Sequence, residues 1–486
     1  MTGGCRIIET EPARPFPALL DSESQMNAVN PSEPHLRRQL GFTGALSANI
    51  IDMVGVGPFI TLPLIVTAMG GPQAMLGWLL GALLSLADGC TWSELGTAYP
   101  EAGGSYAYLK SAYPPKIGRA FSFLYAWQLI FSAPLSIASG CIGFAQYATW
   151  FLPGFGHTAQ TVLALAACLI CTALLFQPIR KIGAVTRVLG GVVIATLLGV
   201  IAIGFTHFSP SLAFSFPPNA FHLNSSFFSG LGAGLLVAAY DYWGYYNVCF
   251  LGAEVRDPSR TIPRAVIGAI VIVGTLYLLM NISVLGVLPW QSLTHSSSGE
   301  RQYTMAVFVQ TAFASHTWAH AAGSIAVILI AIASLASVYA LLLGYSRIPY
   351  AAAQDGNFPA IFKKLHPRHG FPVVSLSVLC LVTLICCLFR LQEVIASLVV
   401  LRIVFQFLLQ GIAILLPKHR AERTRAGRFR MPFYPLPSLI ATSTFIFILL
   451  SRPKIVTEFR LALLVLISGL MIYATRYLLQ RRPKTA

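Results

Sequence analysis

Apolar runs of bilayer-spanning length dominate this chain, and that one feature excludes most folds. A helix needs roughly 20 apolar residues to cross the hydrocarbon core. Lipid admits only helices or closed barrels, because backbone polar groups must be satisfied internally. Runs of this kind fall at about 42–68, 74–96, 117–151, 160–178, 182–207, 228–253, 262–288, 320–346, 372–390, 393–416, 434–451 and 457–479. Hydrophobic residues make up 56% of the chain and charged residues 10%, against about 25% charged in a soluble domain. An all-α integral membrane protein with twelve transmembrane helices is therefore expected.

The basic residues test the count. With the N-terminus in the cytoplasm, 27 of the 33 Lys and Arg fall in inside segments, five fall outside, and Arg402 lies within a span. A missed or extra span would reverse every later loop, so the positive-inside rule supports twelve spans with both termini cytoplasmic; the plasma (inner) membrane is the expected location. The net charge of +16 then reflects orientation and contact with anionic lipid. Nucleic acid is not expected as a partner. The first apolar run follows a polar, Pro-containing tail, so no cleaved signal peptide is expected. Of the nine cysteines, Cys168 and Cys171 sit one helical turn apart inside an apolar span and not in a metal-type pair; all nine read as free thiols, mostly small apolar packing residues. His295, His316 and His320 read as wetted loop residues, and neither a metal nor a cofactor is expected.

Two spans are interrupted. The first carries Asp52 and then Gly55-Val56-Gly57-Pro58; the sixth carries Asp241, Gly244 and Asn247 in its middle. Gly and Pro are the poorest helix formers. Glycine in a membrane helix also serves close packing, which would explain Gly55 or Gly57 alone. The cluster with Pro58, mirrored in the sixth span, points instead to a transporter site at the midplane. Free N–H groups at a restarted helix favour an anion, and free carbonyls at the preceding end favour a cation. An amino acid carries both charges.

Four segments in order resemble the amino acid–polyamine–organocation (APC) permeases: GVGPF (55–59), SELGTAYPEAGGSYAYLKSAY (93–113), GAEVRDPSRTIPRAV (252–266) and SRIPYAAAQDGNFPAIFKKLHPRHGFP (346–372). The proline form of the first is similar to the branch with polyamine transporters. The resemblance, over about residues 40–480, implies a five-plus-five inverted repeat of the leucine-transporter type with broken helices 1 and 6. It divides the chain into a cytoplasmic tail (1–40), a first five-helix repeat (41–207), a second (208–417), and helices 11 and 12 with a cytoplasmic C-terminal tail (418–486). It implies a substrate site at Asp52, Gly55, Val56, Gly57, Pro58, Phe59, Tyr240, Asp241, Tyr242, Gly244 and Tyr245. Tyr240 takes the position of an aromatic gate, or else simply packs. The chain also departs from some members. Span 5 holds Arg187 but no lysine beyond Lys181, so a lysine-based proton mechanism is not implied. The loop 152–160 has no cysteine, so no disulfide-linked heavy chain is expected.

Intramembrane acids are costly and usually functional. Asp241 reads as a partner for a substrate ammonium or a coupling proton, or as a hydrogen-bonding group for nearby backbone. Substrate contact, proton relay and internal pairing are all open for Asp52. Asp88 and Glu94 lie toward the inner part of span 2. Glu94 reads as a gate or tether, and so does Glu254, paired with Arg256 or Arg260. Arg402 either pairs with a buried acid or faces a cavity. Gating or coupling is thus assigned to Glu94, Glu254 and Arg402.

The expected function is a secondary active permease for amino acids or related amines, working by alternating access. The two acids lean the substrate toward cationic amino acids or polyamines, with cation–π help from aromatics near residue 240. A neutral amino acid permease or exchanger is the alternative, and a transporter-like amino acid sensor is the alternative of another class. No phosphate-cradling motif supports ATP coupling, and no nucleophile–base pair supports an enzyme.

Overall fold

The computed structural model describes residues 36–152, 154, 156–295, 303–389, 400–452 and 455–481. Among them every regular element is helical, and β pairing is limited to two isolated bridges, Leu40 with Val255 and Ala102 with Leu251. The principal helices are α1 (Phe42–Met53), α2 (Gly57–Met69), α3 (Met75–Ala98), α4 (Pro115–Ala148), α5 (Gly156–Leu174), α6 (Ile179–Thr206) and α7 (Ser225–Tyr242). They continue with α8 (Asn247–Phe250), α9 (Pro258–Leu285), α10 (Ala319–Tyr345), α11 (Val373–Cys386), α12 (Val400–Leu415), α13 (Leu436–Leu450) and α14 (Ile455–Arg481).

Helix occupies each expected apolar run, although residues 393–399 of the tenth lie outside the described residues. By length and composition, α3, α4, α5, α6, α9 and α10 can each cross a membrane. The pair α1 and α2, bent by 44°, and α12 with the Pro417–Arg423 helix, bent by 70°, raise the count to eight. Helices α11 and α13 are apolar but shorter.

Lipid is as apolar as leucine, so close packing and internal hydrogen bonds must hold such a bundle together. Helix α9 packs on α3 and α1, α10 packs on α4, α6 and α1, and α7 packs on α2 and α3. Trp78 of α3 is fully buried, edge-on to Tyr242 at 6.0 Å and to Tyr277 at 5.5 Å. Edge-to-face pairs of this kind contribute about 0.5–1.5 kcal/mol each. Apolar side chains such as Leu83, Val188 and Leu381 are left exposed around the outside, where a bilayer would cover them. Eight cysteines are buried and unbonded; Cys5 lies outside the described residues.

Candidate functional site

The first break follows from local chemistry. The N–H of Val54 makes the last bond of α1, to Ile50 O at 2.9 Å, and then leaves the helix at φ −93°, ψ 76°. The helix resumes at Gly57 with Pro58 in its first turn, where a missing N–H costs little. The second break follows Tyr242. Trp243 is extended at ψ 149°, Gly244 takes φ +118°, and α8 restarts at Asn247, whose N–H bonds Gly244 O at 3.0 Å.

The two breaks touch. A Cβ on Gly244 would lie 2.6 Å from both Asp52 C and Met53 N. Its positive φ and this backbone approach each require glycine. Side chains from neighbouring helices satisfy the freed carbonyls, as burial demands. Tyr277 Oη donates to Met53 O at 2.9 Å and Ser337 Oγ to Asp52 O at 3.4 Å. Asn247 Nδ2 donates to Asp52 Oδ2 at 2.7 Å and to Ala340 O at 2.9 Å, while Asn49 Oδ1 accepts the Val248 N–H at 2.8 Å.

Between the breaks lies a cavity of about 60 Å³. Asp52, Gly55, Val56, Gly57, Pro58, Tyr240, Asp241 and Gly244 line it, so eight of the eleven residues expected at a substrate site come together there. Thr61 donates its hydroxyl to Asp241 Oδ2, while Asp241 Oδ1 is buried without a hydrogen-bond partner among the described residues. Tyr240 Oη lies 3.0 Å from Ser139 Oγ, which bridges α7 to α4.

Phe59, Tyr242 and Tyr245 do not line the cavity. Phe59 is fully buried, with its carbonyl accepting from Tyr147 Oη at 3.4 Å. Tyr242 packs against Trp78 and Tyr277. Tyr245 turns away and donates to Asp88 Oδ2 at 2.6 Å. Successive residues of a broken helix point in different directions, so adjacency in sequence is a poor guide to shared facing.

Glu94 and Glu254 stand apart from the cavity in paired clusters. Arg423 Nε donates to Glu94 Oε1 at 2.9 Å, His419 Nε2 lies 3.2 Å from the same oxygen, and the Met431 N–H bonds Oε2 at 2.7 Å. Glu254 pairs with Arg347 and not with Arg256 or Arg260. The grip is two-pronged, Nε to Oε2 at 2.9 Å and Nη2 to Oε1 at 3.1 Å, with both side chains 2% exposed. The Gln39 and Leu40 N–H groups both bond Glu254 O at 2.9 Å, which ties the start of the described chain to the same cluster.

Arg402 does line the cavity and makes no ion pair with a described acid. Ser136, Ser139, Ser337 and Tyr345 also face it, and the sequence reading passed them over. Ser136 and Ser139 stand three residues apart in an apolar run, a polar stripe at helical spacing that could have flagged them.

Two broken helices meeting around a cavity of mixed charge, inside a bundle of apolar helices, match the pattern of a membrane transporter site. The sequence supports that class and refines it. The chain belongs to the amino acid permease family, whose profile matches residues 40–475, and so to the APC superfamily. It is 25% identical to the serine/threonine exchanger SteT of Bacillus subtilis over 90% of this chain and 96% of that protein. It is also 25% identical to the branched-chain amino acid permease BcaP of Lactococcus lactis, over 79% of this chain and 85% of that one. Similarity to the human Asc-type amino acid transporter 1 is 25% identity over 71% of this chain and 64% of that protein. These relatives are transporters, which fits a non-enzymatic role.

Proposed function

We propose that this protein is a secondary active permease that carries small zwitterionic amino acids by alternating access. One observation carries the reading: the two breaks abut around a cavity lined by both Asp241 and Arg402. In this reading the bundle has twelve spans in a five-plus-five inverted repeat (41–207 and 208–417) with 418–486 outside it, and both termini face the cytoplasm. The substrate ammonium lies near Asp52 and Asp241 Oδ1. A cavity of only about 60 Å³ favours a small amino acid over a long one. The serine/threonine and Asc-type relatives support this choice. Tyr240, held by Ser139, closes over the substrate, while the Glu94 and Glu254 clusters close the inner side.

Two carboxylates at the cavity favour a second reading, in which the substrate is a cationic amino acid or a polyamine; the Arg402 charge weighs against it. Counterflow into proteoliposomes of labelled L-serine, L-arginine and putrescine, with and without a pH gradient, separates the two. The first reading expects serine to exchange. Uptake of putrescine or arginine without serine would overturn it, and a dependence on the pH gradient would add a coupling proton.

A further inference from the structure

We propose that Arg402 holds the substrate's carboxylate, and that Asp241 already occupies the helix start where the sequence pattern would have put it. The inference rests on the amino acid permease reading above.

Two of the backbone positions at the start of α2 offer no free donor to an anion. Pro58 has no N–H, and that of Phe59 bonds Val56 O at 3.1 Å. The carboxylate of Asp241 lies against this turn. A methyl group on Gly57 would run into Asp241 Oδ1, and Thr61, one turn further on, donates to Oδ2. A helix N-terminus favours negative charge, and here a side chain of the other broken helix supplies it. A substrate carboxylate approaching the same turn would meet like charge. The carboxylate of Asp241, with Oδ1 still unpartnered, instead suits the ammonium end.

Arg402 offers what the other end needs. It is 2% exposed, its Nη1 donates to Tyr246 Oη at 3.2 Å, and its guanidinium carbon lies 4.9 Å from the Tyr345 ring centre. Its Nε and Nη2 are buried with no hydrogen-bond partner among the described residues. Those two atoms form the edge of the guanidinium that matches a carboxylate with parallel N–H bonds. Arg347 grips Glu254 through that same edge in this molecule. Buried unpartnered donors are costly, so a carboxylate that satisfies both binds with that penalty relieved. Arg402 is then the residue that makes the carrier demand an acid group on its substrate.

The test uses the full-length protein in proteoliposomes, with L-serine and its decarboxylated counterpart ethanolamine as competing ligands. The wild type is expected to bind serine and discriminate strongly against ethanolamine. R402Q is expected to bind serine at least roughly tenfold more weakly, as for a lost hydrogen bond to a charged group, with ethanolamine unchanged. R402K keeps the charge in place should R402Q misfold, and it loses the parallel fork. Serine affinity in R402K is expected to fall by a smaller factor, again with ethanolamine unchanged. Retention of the wild-type preference in either folded variant would overturn the assignment. So would a preference for L-aspartate over serine that vanishes in R402Q while serine binding stays, because Arg402 would then read a side-chain acid. A wild type that carries no amino acid at all would instead sink the permease reading itself.

Discussion

Arg347 and Arg402 are equally buried, at 2% exposure each, but their surroundings differ. Arg347 sits in a closed cluster, its Nε and Nη2 on Glu254 and its Nη1 on Leu343 O and Ser346 Oγ, both at 2.9 Å. Arg402 sits at the central cavity with the corresponding edge unpartnered among the described residues. Burial alone therefore does not mark a functional charge. A buried ion whose hydrogen bonds are complete braces the fold, and one whose bonds are incomplete is poised for a ligand.

Breaking the closed cluster should have the largest effect. Loss of one partner of a buried pair costs about 3–5 kcal/mol, so R347A should lower the melting temperature of the detergent-solubilised protein markedly. The double variant E254M/R347M should recover much of that loss, because it leaves no uncompensated charge. Equal melting temperatures for R347A and the wild type would break the comparison. R402M, by contrast, should leave the melting temperature unchanged or raise it, since no ion pair is lost.

Next in size is G244A. The added methyl group would meet the Asp52 and Met53 backbone at 2.6 Å in a conformation with φ +118°. A strained non-glycine residue costs about 1–3 kcal/mol before any clash. Both melting temperature and uptake should fall, and a folded variant with wild-type uptake would show that the breaks can separate freely.

D241N should affect transport more than folding. Loss of a charged partner for the substrate ammonium weakens binding by about 1.5–3 kcal/mol, so serine uptake at low concentration should drop by at least roughly tenfold while expression holds. Unchanged uptake kinetics would remove Asp241 from the substrate site. The smallest effect belongs to K110A. The Lys110–Asp355 contact of 2.6 Å is partly exposed, at 38% and 28%, and such pairs contribute about 0–1 kcal/mol. Its melting temperature should sit close to the wild-type value and lose what difference it has at high salt.

Much of the fold was legible in the chain. Twenty-residue apolar runs become helices because lipid leaves the backbone no other partner than itself. The break at 54–56 was legible too, since Gly55, Gly57 and Pro58 act within a few residues. Legibility declined with sequence distance. Glu254 was expected to pair with a nearby arginine, Arg256 or Arg260, and pairs instead with Arg347, 93 positions away. Ser334 and Ser337 of α10 repeat the three-residue spacing of Ser136 and Ser139, but such a spacing marks a polar side of a helix and not what that side meets: Ser337 lines the cavity, whereas Ser334 Oγ donates to Gly140 O at 2.8 Å.

The amino-acid sequence by itself thus determined the helical class, the places where two helices break, and that Asp52, Asp88, Asp241 and Arg402 lie within apolar runs. Each of these depends on chemistry acting over one or two turns. Only the tertiary structure decided that the breaks abut, that Asp241 lies on the first turn of α2, and that Arg347 is paired where Arg402 is not. Those outcomes depend on which helix faces meet, and that is set by close packing between segments scores of residues apart.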